Sequence, residues 1–170
     1  MSDPITSFFR EDHDRLDALL RRAVATPGAI DREAFAAFRA GILRHIAWEE
    51  KILLKAAREA SGGEPLPIAR RLRIDHGAIA LLLAPTPTLE IVQELRSILE
   101  PHNQVEEEPG GLYETCEELL ADRAEEILSR VRAYPDVKLA PHYDGPEVFR
   151  RAKDALEMSG RQFDRRDRRG

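Results

Sequence analysis

Six side chains of two types recur along this sequence at spacings that suit metal binding. They are His13, His45, Glu49, His76, His102 and Glu106. Two of the histidines carry a glutamate four residues later, and residues at i and i+4 lie on one face of a helix. Each of the other two histidines precedes one of these HxxxE pairs, so the order His, HxxxE, His, HxxxE appears along the chain. Imidazole and carboxylate are ligands of iron, manganese and zinc, so the pattern predicts a metal site.

The elements that position these side chains are predicted to be helices. Turns that contain proline and glycine separate long segments rich in Ala, Leu, Glu and Arg, and no stretch alternates with period two as a strand does. The predicted helices span residues 4–25, 31–60, 66–84, 88–108, 111–133 and 146–159. Because the connections are short, we expect an all-α, up-down-up-down four-helix bundle with an extra C-terminal helical segment.

The apolar pattern around the six side chains repeats along the chain. The residues around His13 recur around His76, 63 positions later, and the residues around His45 recur around His102, 57 positions later. The first and third predicted helices therefore look like copies of each other, as do the second and fourth. Such repetition predicts a pseudo-two-fold arrangement in which corresponding side chains converge.

All six positions fall on stripes that are otherwise apolar, which places two carboxylates in the interior of the bundle. A buried ionised carboxylate must be paired or bound to a cation, and no lysine or arginine interrupts the stripes. Four histidines and two glutamates suit two metal ions, each with two histidines, and both carboxylates can bridge. The single cysteine, Cys116, excludes a cysteine-cluster zinc site, so iron or manganese is favoured and zinc is permitted.

Four acidic residues flank the predicted ligands. Asp12 and Asp75 each directly precede a histidine, where they either hydrogen-bond a histidine of an adjacent helix and fix its tautomer or face the solvent. Glu50 and Glu107 directly follow the predicted glutamate ligands and are expected at the surface or just outside the ligand set. Glu107 would replace its neighbour if the helix were distorted there, and Pro101 predicts such a distortion.

Composition excludes several classes of protein. The chain has 170 residues, 42% of them hydrophobic and 34% charged, which excludes a disordered chain and a membrane protein. A net charge of −5 gives no basic field for a nucleic acid. The acidic start lacks a signal-peptide pattern, so a cytoplasmic location is expected. We expect a metal-binding bundle over residues 1–134 and a polar, partly helical extension over residues 135–170, whose arginine-rich end is expected to be solvated.

The motifs EDHDRL, HIAWEE, IDHGAI and HNQVEE resemble the hemerythrin-like family of HHE cation-binding domains over about residues 5–125. The specific part is the doubled HxxxEE on alternate helices. The resemblance implies a four-helix bundle around two iron ions, bridged by carboxylates and by an oxo or hydroxo group. Carried over position by position, it implies these ligands: His13, His45, Glu49, His76, His102 and Glu106.

One position departs from the family pattern. Oxygen-carrying members have a fifth histidine one turn from the third-helix histidine, where this chain has Leu72 and Ala80. The centre is therefore expected to keep an additional open position, which favours reactivity with dioxygen, peroxide or nitric oxide. Tyr113 and His142 are the alternatives for filling the gap, although His142 lies in a Pro/Gly-rich stretch and is expected at the surface.

Three functions remain open from the sequence. The first is a di-iron protein that binds or senses dioxygen or a related diatomic molecule. The second is an iron-centre repair protein, or a di-iron protein that reacts with peroxide or nitric oxide, and the third is a metal-free helical interaction module. We expect a metal- and oxygen-binding protein rather than an enzyme, present as a monomer or homodimer without nucleic-acid or membrane partners.

Overall fold

Helices make up all the regular structure of the described residues, 3–158, in a computed structural model of the chain. In chain order they are α1 (Pro4–Ala23), α2 (Arg32–Trp48), a π-helical turn (Glu49–Leu53), α3 (Leu54–Ala60), α4 (Ala69–Leu82), α5 (Leu89–Glu107), α6 (Leu112–Leu120), a 3₁₀ turn (Ala121–Arg123), α7 (Ala124–Arg132) and α8 (Glu147–Met158). The predicted all-α bundle with a C-terminal helical segment is confirmed. None of these helices has the length and apolarity that crossing a membrane would require. The arginine-rich end lies outside the described residues.

Local sequence signals set the helix ends. The side chain of Asp31 accepts a hydrogen bond from the Ala34 amide at 3.0 Å and so caps the start of α2. Thr88 does the same for α5 through the Ile91 amide, at 3.2 Å. The chain after α5 turns at Gly110, whose φ of +77° is a backbone conformation that residues with a Cβ rarely adopt.

Two apolar cores lie one above the other inside the bundle. Phe9 and Leu72 belong to one core, whereas Leu16 and Ile79 belong to the other. On α1, Phe9 and Leu16 are seven positions apart with His13 between them, and on α4 Leu72 and Ile79 flank His76 in the same way. The polar side chains therefore lie in the layer where the helices pass from one apolar core to the other.

The sequence predicted a distorted helix at the second HxxxE motif, but the irregular backbone lies at the first motif. Pro101 lies inside α5, which continues to Glu107, so the predicted distortion at the second HxxxE motif is wrong. Pro101 and Ser97 are both exposed, so water can satisfy the Ser97 carbonyl that loses its helical partner. The irregularity lies in the first motif instead, where the chain forms a π-helical turn over Glu49–Leu53.

The C-terminal helix α8 covers α4. Its residues Val148, Ala152 and Leu156 are buried, and the last two join the core that contains Ile79. The segment before α8 is tied to the bundle, because the Arg39 guanidinium donates to the Ala140 carbonyl at 3.0 Å. The domain boundary predicted at residue 134 falls in the stretch between α7 and α8 and stays a prediction.

Candidate metal centre

The six predicted ligands converge in the layer between the two cores, and each is at most 4% exposed. Their donor atoms form two groups that could hold a metal ion, with the atoms of each group within 4.8 Å of one another. The first half-site consists of His13, His45, Glu49 and Glu106, and the second half-site consists of His76, His102, Glu49 and Glu106. Both glutamates thus belong to both half-sites. Their assignment as metal ligands stays a prediction.

Each shared glutamate directs one oxygen to each half-site. Glu49 Oε1 lies 3.3 Å from His45 Nε2, and Glu49 Oε2 lies 3.1 Å from His76 Nε2. Glu106 Oε2 lies 3.4 Å from His13 Nε2, and Glu106 Oε1 lies 3.0 Å from His102 Nε2. This is the arrangement expected of two carboxylates that bridge a pair of cations.

Four carboxylates hold the outer nitrogens of the histidines. His45 Nδ1 lies 2.8 Å from Asp12 Oδ2, and His102 Nδ1 lies 3.0 Å from Asp75 Oδ2. His76 Nδ1 lies 2.8 Å from Glu50 Oε1, and His13 Nδ1 lies 2.5 Å from Glu107 Oε1. An ionised carboxylate can only accept, so each Nδ1 donates, and in the neutral imidazole Nε2 is then available to a metal. The hydrogen-bonding interpretation of Asp12 and Asp75 is therefore confirmed. Glu106 lies with the other predicted ligands, whereas Glu107 contacts the outer nitrogen of His13.

Two consecutive glutamates reach one histidine in each HxxxEE motif, and in the first motif they lie in the π-helical turn. Glu49 Oε2 lies by the Nε2 of His76, and Glu50 Oε1 accepts from its Nδ1. Glu106 and Glu107, at the end of the regular helix α5, reach Nε2 and Nδ1 of His13 in the same way, so this contact does not require a π-helical turn. Such turns are frequent at functional sites. No local signal in the segment EEKIL distinguishes a π-helical turn from an α-helical one.

Opposing electrostatic effects act on the buried side chains. Burial by itself would lower the pKa of each histidine, but contact with the Glu106 and Glu107 carboxylates raises the pKa of His13 to about 10. Contact with Glu106 and Glu49 likewise raises the pKa of His76 to about 11. Burial and Glu106 oppose ionisation of Glu49, but His45 and His76 outweigh them and lower its pKa to about 2. Protons therefore supply the positive charge that balances these carboxylates without a metal, so cations and protons compete for the cluster.

Several buried atoms of the cluster face each other without forming hydrogen bonds. Glu49 Oε2 and His76 Nε2 are 3.1 Å apart, yet neither has a hydrogen-bond partner, and Glu106 Oε1 has none either. A buried polar atom without a partner costs about 1–3 kcal/mol. A cation between these atoms would satisfy them together, so the residues present fit a metal ion.

Tyr113 is the site residue that sequence reasoning placed incorrectly. It is the second residue of α6 and is fully buried. Its hydroxyl donates a hydrogen bond to Glu49 Oε1 at 2.7 Å. The hydroxyl also lies 3.0 Å from His13 Nε2 and 3.3 Å from His45 Nε2. Tyr113 therefore lies at the first half-site and does not fill the predicted gap beside His76. Helical periodicity gave no signal for this position, because a break separates α6 from α5.

The family model of the hemerythrin HHE cation-binding domain matches residues 5–123 of this chain. The chain belongs to the hemerythrin HHE family. The resemblance noted in the sequence is thereby confirmed, and the protein is a hemerythrin-like, cation-binding helical bundle whose His/Glu groups could hold metal. A search of curated proteins and a search of solved structures each gave no match.

Three other chemically capable residues of this hemerythrin-family chain lie outside the His/Glu groups. Trp48 is nearly buried against Phe8 and Phe9, with ring centroids 5.5 and 6.4 Å away. Cys116 is fully buried, and burial raises the pKa of its thiol to about 12, so it stays a neutral thiol. His142 is exposed, with Nδ1 near the Ala84 carbonyl, in agreement with the surface position expected for it.

A cleft lined by residues of α1, α2 and α5 borders the hemerythrin-family centre at His13. Its volume is about 180 Å³, and His13 and Glu107 form part of its wall. Leu16, Phe38 and Leu99 contribute apolar surface. A cleft of this size admits a diatomic molecule or water and passes directly beside the first half-site.

Proposed function

We propose that this hemerythrin-family protein holds two iron ions, one in each half-site, and binds or senses dioxygen or a related diatomic molecule there. The observation that carries the proposal is the pair of buried His₂Glu₂ groups that share both carboxylates. Nitrogen and oxygen donors without thiolate suit iron, with manganese and zinc as the alternatives to be tested. The binding of a neutral molecule requires no further charged group.

Bound iron would supply reversible electron transfer to the diatomic molecule, and the chain's own residues provide its surroundings. Asp12, Asp75, Glu50 and Glu107 orient the imidazoles and keep each Nε2 directed inward. The apolar cores above and below shield the layer that contains the site from water on those two sides.

A second candidate function is reaction with peroxide or nitric oxide, or participation in iron-centre repair. The observation that favours it is Leu72, which is fully buried one turn before His76 and cannot bind a metal. The second half-site thus offers one histidine fewer than oxygen-carrying members of the family. An additional open position favours chemistry on the ligand over its simple reversible binding.

The first experiment is metal analysis of the protein after anaerobic reconstitution with ferrous iron, compared with His45→Ala and with His142→Ala as a matched control. We expect two irons per chain in the parent, corresponding to the two groups of donors, and a clear loss of iron in His45→Ala. His142→Ala should bind like the parent because His142 is exposed and away from the cluster. Manganese and zinc are offered in parallel to rank the metals.

Optical spectra then separate the two candidate functions. A spectrum that changes on adding oxygen and returns when oxygen is removed supports reversible binding. Irreversible oxidation, together with turnover of peroxide or nitric oxide, supports the reactive alternative. A folded protein that binds none of the three metals contradicts both functions and leaves a metal-free helical interaction module.

A further inference from the structure

We propose that the phenol oxygen of Tyr113 is a fifth protein ligand for the metal ion of the first half-site, an inference that rests on the metal binding proposed above. Tyrosine oxygen is a known ligand for iron in proteins. The proposal makes the two metal positions unequal. The first would have five protein donors, and the second would have four.

The distances around the Tyr113 hydroxyl carry this proposal. The oxygen lies 3.0 Å from His13 Nε2, 3.3 Å from His45 Nε2, 2.7 Å from Glu49 Oε1 and 3.2 Å from Glu106 Oε2. Two donors bound to one metal at about 2.1 Å and at right angles are about 3 Å apart. The distance from the phenol oxygen to each of the four donors of the first half-site is therefore the distance expected between two ligands of the same metal ion.

The fold fixes the tyrosine in this position. Its ring stacks on Phe9 with centroids 5.1 Å apart and planes inclined by 26°, and Phe9 precedes His13 by one turn of α1. Helix α6 packs against α1, α3 and α5, and the side chain of Leu112 beside the tyrosine is fully buried. The phenol oxygen is thus held in place by apolar packing and has little freedom to move away from the four donors.

The second half-site has no equivalent donor from the described residues. Helix α3 follows the first HxxxEE motif as α6 follows the second, and its sequence LKAAREA contains no tyrosine. The residue one turn before His76 is Leu72. An exogenous diatomic molecule is therefore expected to bind at the second half-site, which keeps more open positions.

Ligation replaces the O–H bond of the tyrosine with an oxygen–metal bond and involves no oxidation or reduction. The phenol O–H bond breaks, the oxygen–metal bond forms, and the proton leaves to the solvent, as protons do when metals displace them from ligands. Without a metal, burial and the Glu106 and Glu49 carboxylates raise the pKa of Tyr113 well above its usual value. A cation at the first half-site reverses the sign of the local field that the phenol oxygen experiences.

The test uses the full chain loaded with iron and oxidised to the ferric state. Phenolate bound to ferric iron gives a charge-transfer band in the visible, and resonance Raman excitation into that band enhances the ring vibrations of the bound tyrosine. We expect both signals in the parent and their loss in Tyr113→Phe, with iron content retained. Tyr134→Phe is the matched control, because Tyr134 is half-buried against the same apolar core and should leave both signals unchanged.

Each other result overturns the inference in a recognisable way. Two irons per chain without a phenolate signal, or a signal that survives in Tyr113→Phe, would show that Tyr113 is only a hydrogen-bond donor to Glu49, and the proposed function would stand. Absence of iron in the folded parent would overturn the proposed function and this inference together. Thermal unfolding of metal-free Tyr113→Phe checks its fold, which phenylalanine should preserve because the stacking on Phe9 remains.

Discussion

The two half-sites are built from the same parts but differ in what surrounds them. Each has two histidines from adjacent helices, one oxygen from each shared glutamate, and a carboxylate on every Nδ1. The first half-site also contacts the hydroxyl of Tyr113, whereas the second lies one turn from the aliphatic side chain of Leu72. The repeated helices produce the symmetry, and α6, which approaches only one side, removes it.

This difference separates two roles within one cluster. The repeated histidines and glutamates account for holding two cations, because they supply the same donors to both positions. Reactivity depends on open positions, and these depend on the residues that are not repeated. The half-sites can therefore be altered together through the shared carboxylates or separately through their distinct neighbours.

The largest expected effect comes from Glu106→Ala, which removes an oxygen from both half-sites. We expect it to abolish most metal binding, whereas His102→Ala should lose metal mainly from the second half-site. Metal content after dialysis measures both, with Glu108→Ala as a control because Glu108 is exposed just after α5. Normal retention of metal at either half-site in Glu106→Ala would contradict the shared role.

Leu72→His would reduce the difference between the half-sites by placing an imidazole one turn from His76. We expect tighter metal binding at the second half-site and slower reaction with exogenous ligands, because an open position is filled. The control Leu72→Ala should cost about 2–5 kcal/mol in the free energy of unfolding, as for other buried leucines, without tightening metal binding. Calorimetric titration with ferrous iron tests the affinity, and an affinity equal to that of the parent would count against the assigned gap.

Smaller effects are expected from the carboxylates that hold Nδ1. Asn at position 12 or 75 can donate to Nδ1 and so favour the tautomer with a proton on Nε2, which cannot bind a metal. Asp12→Asn and Asp75→Asn should each weaken metal affinity by about 10–100-fold. Asp14→Asn is the control, because Asp14 is exposed and lies two positions after Asp12. Equal affinities in all three variants would show that these hydrogen bonds do not orient the ligands.

A gradual dependence of stability on pH is expected in the metal-free protein. The pKa of His13 is raised from 6.5 to about 10 and that of His76 to about 11, so the folded state binds more protons than the unfolded state above pH 6.5. Their stabilising contribution is therefore complete below pH 6.5 and is lost as pH rises through about 10 and about 11. Urea unfolding of chelator-treated protein across this range measures the decline, and a rise in stability would contradict it. His13→Gln and His76→Gln would assign the slope to each half-site.

Sequence patterns were sufficient for the helices and for the convergence of the six predicted ligands. A helix repeats every 3.6 residues, so the positions of His13 and Phe9 on one face follow from spacing alone. Pro101 led to a wrong prediction because spacing does not report that Pro101 and Ser97 lie on the exposed side of α5. Whether Asp12 faces solvent or His45 was equally undecidable, because that contact crosses between helices.

The sequence by itself determined that four histidines and two glutamates would lie on inward helix faces, since that property is local and periodic. Only the tertiary structure decided how they are shared: which carboxylate holds which histidine, and that Glu49 and Glu50 both reach His76. It also placed Tyr113 beside His13, from 100 residues away. These contacts depend on the rotation and relative height of packed helices, which result from the fit of the whole apolar interior rather than from the spacing of any one segment.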